Sequence, residues 1–532
     1  MRKILILSIL SGLLLGFSWP TKGQSLLIFF SLVPLLISIE RINNSHLKNK
    51  NLTSFIVSYL CFFLWNILTT WWIYNSTEFG ALFAILVNSS FYSIMIVIYR
   101  ISLNYIPKIT SQILLLSMWI SFEKFHLDWD FSWPWLNLGN VFSESTYFIQ
   151  WYEYTGVFGG TLWILVVNLF AFNFLNNKIK TSHRKKIITK ILIFIFLIIT
   201  PITYSLFIYQ SSKENSSNLE IVIIQPNIDP YNKKFKRSNS ELFELIKSQS
   251  IDYISQNTKY LIAPEGYFDG GVGLNLKNFN DSKFKFEIDR FLDKYNNLNL
   301  IVGAQSFNIY PESKNPPTFT ANKISDGRWL DLYNSAFQFS NNHDSQFYHK
   351  SKLVVGVEFM PYKKLFEPIF GKILLDFGGT IATRGIQDKR TVFQSKEKVV
   401  VAPIICYESI YGSFITEYVR TGAQLLIIIS NDAWWGDTEG HRQLLSYSRL
   451  RAIENRRAIA RSANTGISAF IDKNGEILKK IEYDKKGVLV GNVQLENRVT
   501  FYTKYGDYIA RIALLLFILT ILFLFRNILT KK

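Results

Sequence analysis

Cysteine is nearly missing from this chain, with 2 in 532 residues. A disulfide framework of the kind that staples small secreted domains is therefore excluded. Cys61 lies inside the apolar stretch "SFIVSYLCFFLW", where pairing with Cys406 would need a coincidence of depth, so both are read as free thiols. Histidine is sparse too, at 6, and no His/Cys cluster has the spacing of metal ligands, so no metal and no cofactor is expected. There is no internal repeat, and the one low-complexity tract is the polar "QSSKENSSN".

What the chain has in excess is apolar surface. Hydrophobic residues make up 48%, Phe alone numbers 44, and the mean hydropathy is +0.13, richer than a soluble enzyme needs. A membrane is implied. The formal net charge of +18 then reads as loops facing anionic lipid or obeying the positive-inside bias, and not as a nucleic-acid surface.

Eight segments have spanning character, at roughly 4 to 19, 24 to 39, 53 to 73, 80 to 99, 108 to 122, 157 to 175, 191 to 209 and 508 to 525; the first, second and fifth are short. With a cytoplasmic amino terminus, the even-numbered connections fall inside. They carry Arg41, Lys48 and Lys50, then Arg100 and Lys108, then Lys178, Lys180, Arg184, Lys185 and Lys186, whereas the outer ones carry almost only Lys22 and Lys124. The basic tail "RNILTKK" is also inside, and the segment from about 210 to 506 is outside. "MRKILILSILSGLLLGFSWP" also fits a cleavable signal peptide, but no A-x-A-like site follows and a second apolar stretch begins almost at once. It is read as the first helix.

These features predict a membrane domain over 1–209 with about seven helices, a linker over 210–218, a second domain over 219–497, and a terminal helix with a cytoplasmic tail over 498–532. The second domain has a different grammar. Short β-rich runs ("EIVIIQ", "KYLIAP", "LNLIVGAQ", "VVVAPIIC", "AQLLIIIS", "IARSANTGISAFID") alternate with helix-like stretches such as "SELFELIKSQSIDYISQ", "FEIDRFLDKYNN" and "HRQLLSYSRLRAIENRRA". An α/β domain follows. "SAFQFS" and "QFYHKSKLV" read as neighbouring strands joined by a hairpin-like turn.

Three strand-like runs end in reactive residues: Glu265 in "LIAPEGYF", Lys350 and Lys352 in "FYHKSKL", and Cys406 in "APIICYES". A thiolate with a cation beside it and a carboxylate to take its proton makes a nucleophile for acyl transfer, and the cation can hold the oxyanion. Each piece alone also has a structural reading. A free Cys in an apolar strand is commonly a small buried hydrophobe, "PEG" is a turn signal, and a Lys among polar residues is usually solvated. The aromatic residues Trp71, Trp72, Trp133 and Trp135 near outer membrane ends read as an interfacial belt or a lipid entrance. Trp434 and Trp435 in "NDAWWGDT" read as core or, preferably, as a loop dipping into lipid. His441 and the run Arg449 to Arg461 read as solvated charge.

"PEGYF", "YHKSKL", "CYES", "SNDAWWGDT" and "RAIENRRAIARSANTGISAFID" together resemble the carbon-nitrogen hydrolase (nitrilase) superfamily. "GLLLGFSWP", "VPLL", "FSWPWLNLG" and "VVGVEFMPY" narrow the resemblance to its membrane-embedded branch, the apolipoprotein N-acyltransferases, over nearly the whole chain. That resemblance implies an α-β-β-α nitrilase-like sandwich outside the bacterial inner membrane, carried on a multi-span helical domain. It implies Cys406 as nucleophile, Glu265 as general base and Lys350 as oxyanion partner, with Lys352 as the physical competitor. It also implies supporting or substrate-binding roles for Glu358, Tyr407 and Glu408, to which Trp434, from the loop reading above, and Phe235 are added as aromatic candidates for substrate contact.

The implied reaction takes an acyl chain from a phospholipid onto Cys406 as a thioester and passes it to the α-amine of a diacylglyceryl-cysteine on an apolipoprotein. Two positions depart from the family pattern. Phe235 in "QPNIDPYNKKF" stands for the usual tryptophan. In "VVGVEFMPY" the glycine has moved from directly before the glutamate to Gly356. Two rival functions use the same features. A membrane-tethered amidase would take water as acceptor, and a transporter would use the helices alone, against which the spans hold few ionisable residues, Glu123 and Arg511 lying near ends.

Overall fold

The computed structural model describes residues 1–176, 184–211, 218–229, 237–270, 273–295, 297–341, 343–359, 361–362 and 383–530. The chain divides into two compact units. One comprises Met1–Tyr74, Glu78–Lys213 and Tyr505–Lys532, the other Asn75–Thr77 and Glu214–Lys504.

The first unit is helical because its apolar runs lack the alternation of strands and are long enough for many turns. Among the described residues, six helical segments are long and apolar enough to cross a membrane: Ser25–Asn43, Lys50–Asn75, Glu78–Ser102, Val157–Asn176, Lys186–Gln210 and Tyr508–Thr530. Helices Arg2–Ser18 and Lys108–Asp128 occupy the other two segments named from the sequence. The first is only 17 residues long, and polar residues such as Gln112, Glu123 and Lys124 dilute the second. Protein covers only 11% of the span Lys186–Gln210 and 22% of Tyr508–Thr530, so their apolar faces need lipid around them. This is a membrane protein.

Two buried polar side chains in this unit are satisfied by internal partners, as an apolar surrounding favours. Asn168 accepts the Leu32 N–H at 2.9 Å and donates to Ile28 O at 2.8 Å, bridging the break where a 3-10 turn passes into helix Val33–Asn43. Glu123 is fully buried and accepts from Trp119 Nε1, Leu138 N–H and Thr161 Oγ1 at 3.1, 2.8 and 2.7 Å. It thereby ties the loop containing "FSWPWLNLG" to two helices. Trp72 and Trp135 are not surface belts. They are buried, edge to face, with ring centroids 4.7 Å apart, while Trp71 remains exposed.

The second unit holds two sheets. The larger has eight strands, in the order Gly487–Gln494, Asn218–Gln225, Thr258–Ile262, Asn299–Tyr310, Trp329–Ser340, Asn322–Lys323, with Leu274–Asn275 and Gln346–His349 paired off this path. The smaller has six, in the order Ile477–Ile481, Ser468–Ile471, Ile459–Ala463, Leu425–Ser430, Val400–Ile405, Phe393–Gln394. The expected hairpin is present, Trp329–Ser340 pairing antiparallel with Gln346–His349. Strands such as Leu425–Ser430 are buried along their whole length, which is why they read as continuous apolar runs. Helices Asn239–Ser250 and Lys283–Leu292 place Phe243, Ile246, Ile288 and Phe291 in a core with Val222, Leu300 and other residues of the larger sheet. The sheets meet where Ser462 Oγ donates to Ile224 O at 2.9 Å and Ser468 N–H to Gln225 Oε1 at 2.9 Å. This is a nitrilase-like α/β sandwich.

Candidate active site

Three strand ends converge in the second unit. Glu265 follows Thr258–Ile262, Lys350 follows Gln346–His349, and Cys406 follows Val400–Ile405; all three side chains are buried. The turn that carries Glu265 packs directly onto the neighbouring strand at Gly303. Gly303 N–H donates to Pro264 O at 3.0 Å, and Tyr267 N–H donates to Gly303 O at 2.7 Å. A β-carbon on Gly303 would stand 2.4 Å from Gly266 N and 2.5 Å from Glu265 Cα, so only glycine admits this approach.

Lys350 Nζ lies between two carboxylates, 3.1 Å from Glu265 Oε1 and 2.9 Å from Glu358 Oε2. Asn334 ties the same pair together, its Nδ2 donating to Glu265 Oε1 at 2.7 Å and to Glu358 Oε1 at 2.9 Å. Its backbone carbonyl accepts the Lys350 N–H at 2.8 Å, and the Asn431 N–H donates to Glu265 Oε2 at 3.0 Å. Lys352, two residues on, instead places its ammonium 5.0 Å from the centre of the Tyr411 ring. The geometry therefore separates the two lysines that the sequence left in competition.

Cys406 has φ +49°, in the left-handed region, at a sharp passage from strand into the 3-10 turn Cys406–Ile410. A side chain held in such a conformation indicates a position over-determined by its surroundings. Burial first, and then Glu265, push its thiol well above the ordinary value, with Lys350 and the Ser430 hydroxyl pulling it down. Burial alone would lower Lys350, but Glu265 and Glu358 outweigh it and hold the ammonium above its usual range. Burial likewise opposes ionisation of Glu358, yet Lys350 and Arg384 hold it below the usual carboxylate range. The site thus holds a neutral thiol beside a fixed cation and carboxylates.

Glu408 belongs to the frame of this site. It is fully buried; Oε1 accepts from Ser351 N–H and Tyr348 OH at 2.7 Å each, and Oε2 accepts the Ile405 N–H at 2.9 Å. Burial raises its carboxyl against those bonds. Gly356, with φ +78°, makes the displaced glycine of "VVGVEFMPY" a turn residue, its N–H donating to Phe359 O at 2.9 Å, and Glu358 still reaches Lys350. Tyr407 is buried edge-on against Tyr411, with centroids 5.3 Å apart. Trp434 is 39% exposed on the 3-10 turn Asp432–Trp435. Phe235 lies outside the described residues.

Sequence reasoning missed Asn334 and Arg384, and did not single out Asn431 within "SNDAWWGDT" or Gly303 within "LNLIVGAQ", because nothing local links them to Glu265 or Glu358. It also misread the basic run. Arg451, Arg456, Arg457 and Arg461 are buried, not solvated, because they supply donors inside the fold. Arg461 Nη2 meets Asp432 Oδ2 at 2.8 Å, Arg457 Nε donates to Ala423 O at 2.7 Å, and Arg456 Nη1 donates to Asn474 Oδ1 at 2.7 Å. His441 is buried as well, stacked on Tyr483 with centroids 4.3 Å apart.

Residues 11–170 match the family model of the apolipoprotein N-acyltransferase N-terminal domain, and residues 300–501 match the carbon-nitrogen hydrolase model. The chain belongs to the apolipoprotein N-acyltransferase family. It is 27% identical over 524 residues to an apolipoprotein N-acyltransferase of Chlorobaculum tepidum, covering 97% of this chain and 95% of that one. A Thermotoga maritima apolipoprotein N-acyltransferase is 22% identical over 533 residues, with 97% and 93% covered. Among solved structures, a mutant amidase from Nesterenkonia, of the nitrilase superfamily, aligns at TM-score 0.38 and 14% identity, covering 56% of this chain and 98% of that one. Lys350, Glu358, Cys406 and Trp434 fall within the matched hydrolase segment, and Glu265 lies upstream of it.

Proposed function

We propose that this N-acyltransferase moves an acyl chain from a membrane phospholipid to the N-terminal α-amine of a diacylglyceryl-cysteine apolipoprotein, through a thioester on Cys406. The observation that carries the reading is the buried Glu265–Lys350–Glu358 cluster beside Cys406, in a chain whose other unit is built for lipid.

In the first half-reaction, Cys406 Sγ attacks the ester carbonyl as Glu265 takes the thiol proton. The resting thiol is neutral, so a base within reach is needed at that moment. The Lys350 ammonium, kept charged and oriented by Glu265 and Glu358, stabilises the tetrahedral oxyanion. Collapse breaks the ester C–O bond, and Glu265 returns the proton to the leaving alkoxide, which departs as a lysophospholipid. In the second half-reaction the acceptor amine attacks the thioester and loses a proton to Glu265. Collapse breaks the C–S bond, the sulfur is reprotonated, and the product is an amide. Burial of the site limits water as a competing acceptor.

Glu358, Glu408 and Asn334 act as positioning residues in this scheme, and Tyr407, Trp434 and Phe235 belong to substrate handling. The basic connections named above support a multi-pass protein of the bacterial cytoplasmic membrane with the catalytic unit on the periplasmic side.

Intact mass spectrometry of the purified protein with phospholipid alone, against Cys406→Ala, tests the reading. A hydroxylamine-labile acyl adduct on the wild type and none on the variant is expected, followed by its discharge onto a diacylglyceryl-cysteine peptide. A folded wild type that stays unmodified across a panel of lipids would reject the phospholipid donor and leave amide hydrolysis to be tested.

A further inference from the structure

The longest hairpin of the larger sheet runs past the active site. Thr258–Ile262 pairs in parallel with Asn299–Tyr310, Ile262 opposite Ile301, and Glu265 sits against Gly303. From there the second strand continues to Tyr310, about 20 Å further at ~3.3 Å per residue. Residues 311–328 then return the chain to Trp329–Ser340, which pairs with Asn299–Tyr310 along its whole length. The hairpin tip therefore stands at the same end of the sheet as the catalytic strand ends.

That tip is mostly polar but carries one exposed aromatic ring on a firmly tied turn. Asp331 is fully buried and accepts from Thr318 Oγ1 at 2.7 Å, Thr320 Oγ1 at 2.8 Å, and the Tyr310 and Tyr333 hydroxyls at 3.3 Å each. Phe319 is held between the two anchored threonines and is 82% exposed, with Pro316 and Pro317 exposed before it and Ile309 exposed on the outgoing strand. The clamp keeps this ring from folding back onto the domain, so water contact persists unless something else covers it. The charges around it favour an anionic cover. Arg328 is neutralised by Asp326, which leaves Lys314 and Lys323 against Glu312.

We propose that residues 311–328 are a lipid-contact tip, with Phe319 seated at the boundary between headgroups and acyl chains and Lys314 and Lys323 on anionic headgroups. The inference rests on the acyl-transfer reading, because a site that draws on lipid-borne donors and acceptors needs lipid near its strand ends, and the tip stands at that end of the sheet.

A nitroxide at Phe319→Cys in the full-length protein, reconstituted into vesicles of phosphatidylcholine and phosphatidylglycerol in equal parts, measures this directly. Both native cysteines are buried, and wild type carried through the same labelling reports any background. A label at Gln256→Cys, exposed just before Thr258 at the opposite end of the strand pair, is the aqueous control. The expected result is a ratio of collisions with oxygen to collisions with a water-soluble nickel chelate several-fold higher at 319 than at 256. Equal ratios overturn the proposal. The acyl adduct on Cys406 is measured in the same samples. A water-exposed tip on a protein that still forms the adduct rejects the tip alone, whereas a lipid-immersed tip on a protein that forms none supports the contact and rejects the acyl-transfer reading.

Discussion

Glu408 accepts the Ser351 N–H at 2.7 Å, joining the turn after the nucleophile to the residue after the lysine. Its other oxygen holds the Ile405 N–H, immediately before Cys406. One buried carboxylate thus sets the spacing between the thiol and the ammonium without touching either reacting atom.

Glu408→Gln turns an amide N–H₂ toward one of those backbone donors. We expect acyl-enzyme formation to fall on the order of 10²-fold through misplacement of Cys406 relative to Lys350, with stability reduced by about 1–3 kcal/mol. Glu408→Asp should recover part of the rate if it regains one of the bonds. Single-turnover mass spectrometry and thermal melting of the same samples separate the two effects, and an unchanged acylation rate would remove Glu408 from the frame.

Lys350→Met and Lys352→Met should differ sharply. The first removes the cation between Glu265 and Glu358, so acylation should drop by roughly 10³-fold, and two buried carboxylates left without it should destabilise the domain by about 3–5 kcal/mol. The second removes a charge lying over Tyr411 and should cost less than tenfold, about 1 kcal/mol, as expected for one cation–π contact. Equal losses in the two variants would return Lys352 to contention.

Gly303→Ala forces a methyl group into the backbone beneath Glu265. The expected outcome is an overpacking cost of about 1–3 kcal/mol together with a loss of acylation larger than the stability change explains, since the displaced group is the proposed base. Hydrogen exchange at Tyr267 and Phe268, whose amides both donate to Gly303 O, reports the displacement independently.

Acid sensitivity should trace in part to His349. Burial lowers its imidazole from 6.5 to about 4. Between those values the unfolded chain binds more protons than the folded one, so stability falls as pH drops from about 6.5 to about 4, by at most ~3 kcal/mol for this group. His349→Asn should flatten the dependence of the melting temperature on pH across that window. An unaltered slope would assign the sensitivity elsewhere.

Much of the fold was legible because its signals are local. Apolar runs without alternation marked the helices, and short aliphatic or aromatic runs ending in Glu265, Lys350 and Cys406 marked the strand ends. The tryptophans and the arginines misled for a common reason. Position near a membrane end suggested an interface for Trp72 and Trp135, and charge suggested solvent for Arg451 to Arg461, but each is buried against partners that local pattern does not reveal.

Residue order alone was enough to separate the two kinds of architecture and to name the residue types able to do the chemistry, since periodicity and strand ends are properties of neighbouring residues. Packing in three dimensions was needed to establish that Lys350 and not Lys352 meets Glu265, that Asn334 and Asn431 complete the cluster, and that Glu408 is a clamp. Those contacts join residues as far apart as 85 positions for Glu265 with Lys350 and 166 for Glu265 with Asn431. They depend on which strands pair and which sheets face each other, which short-range pattern does not encode.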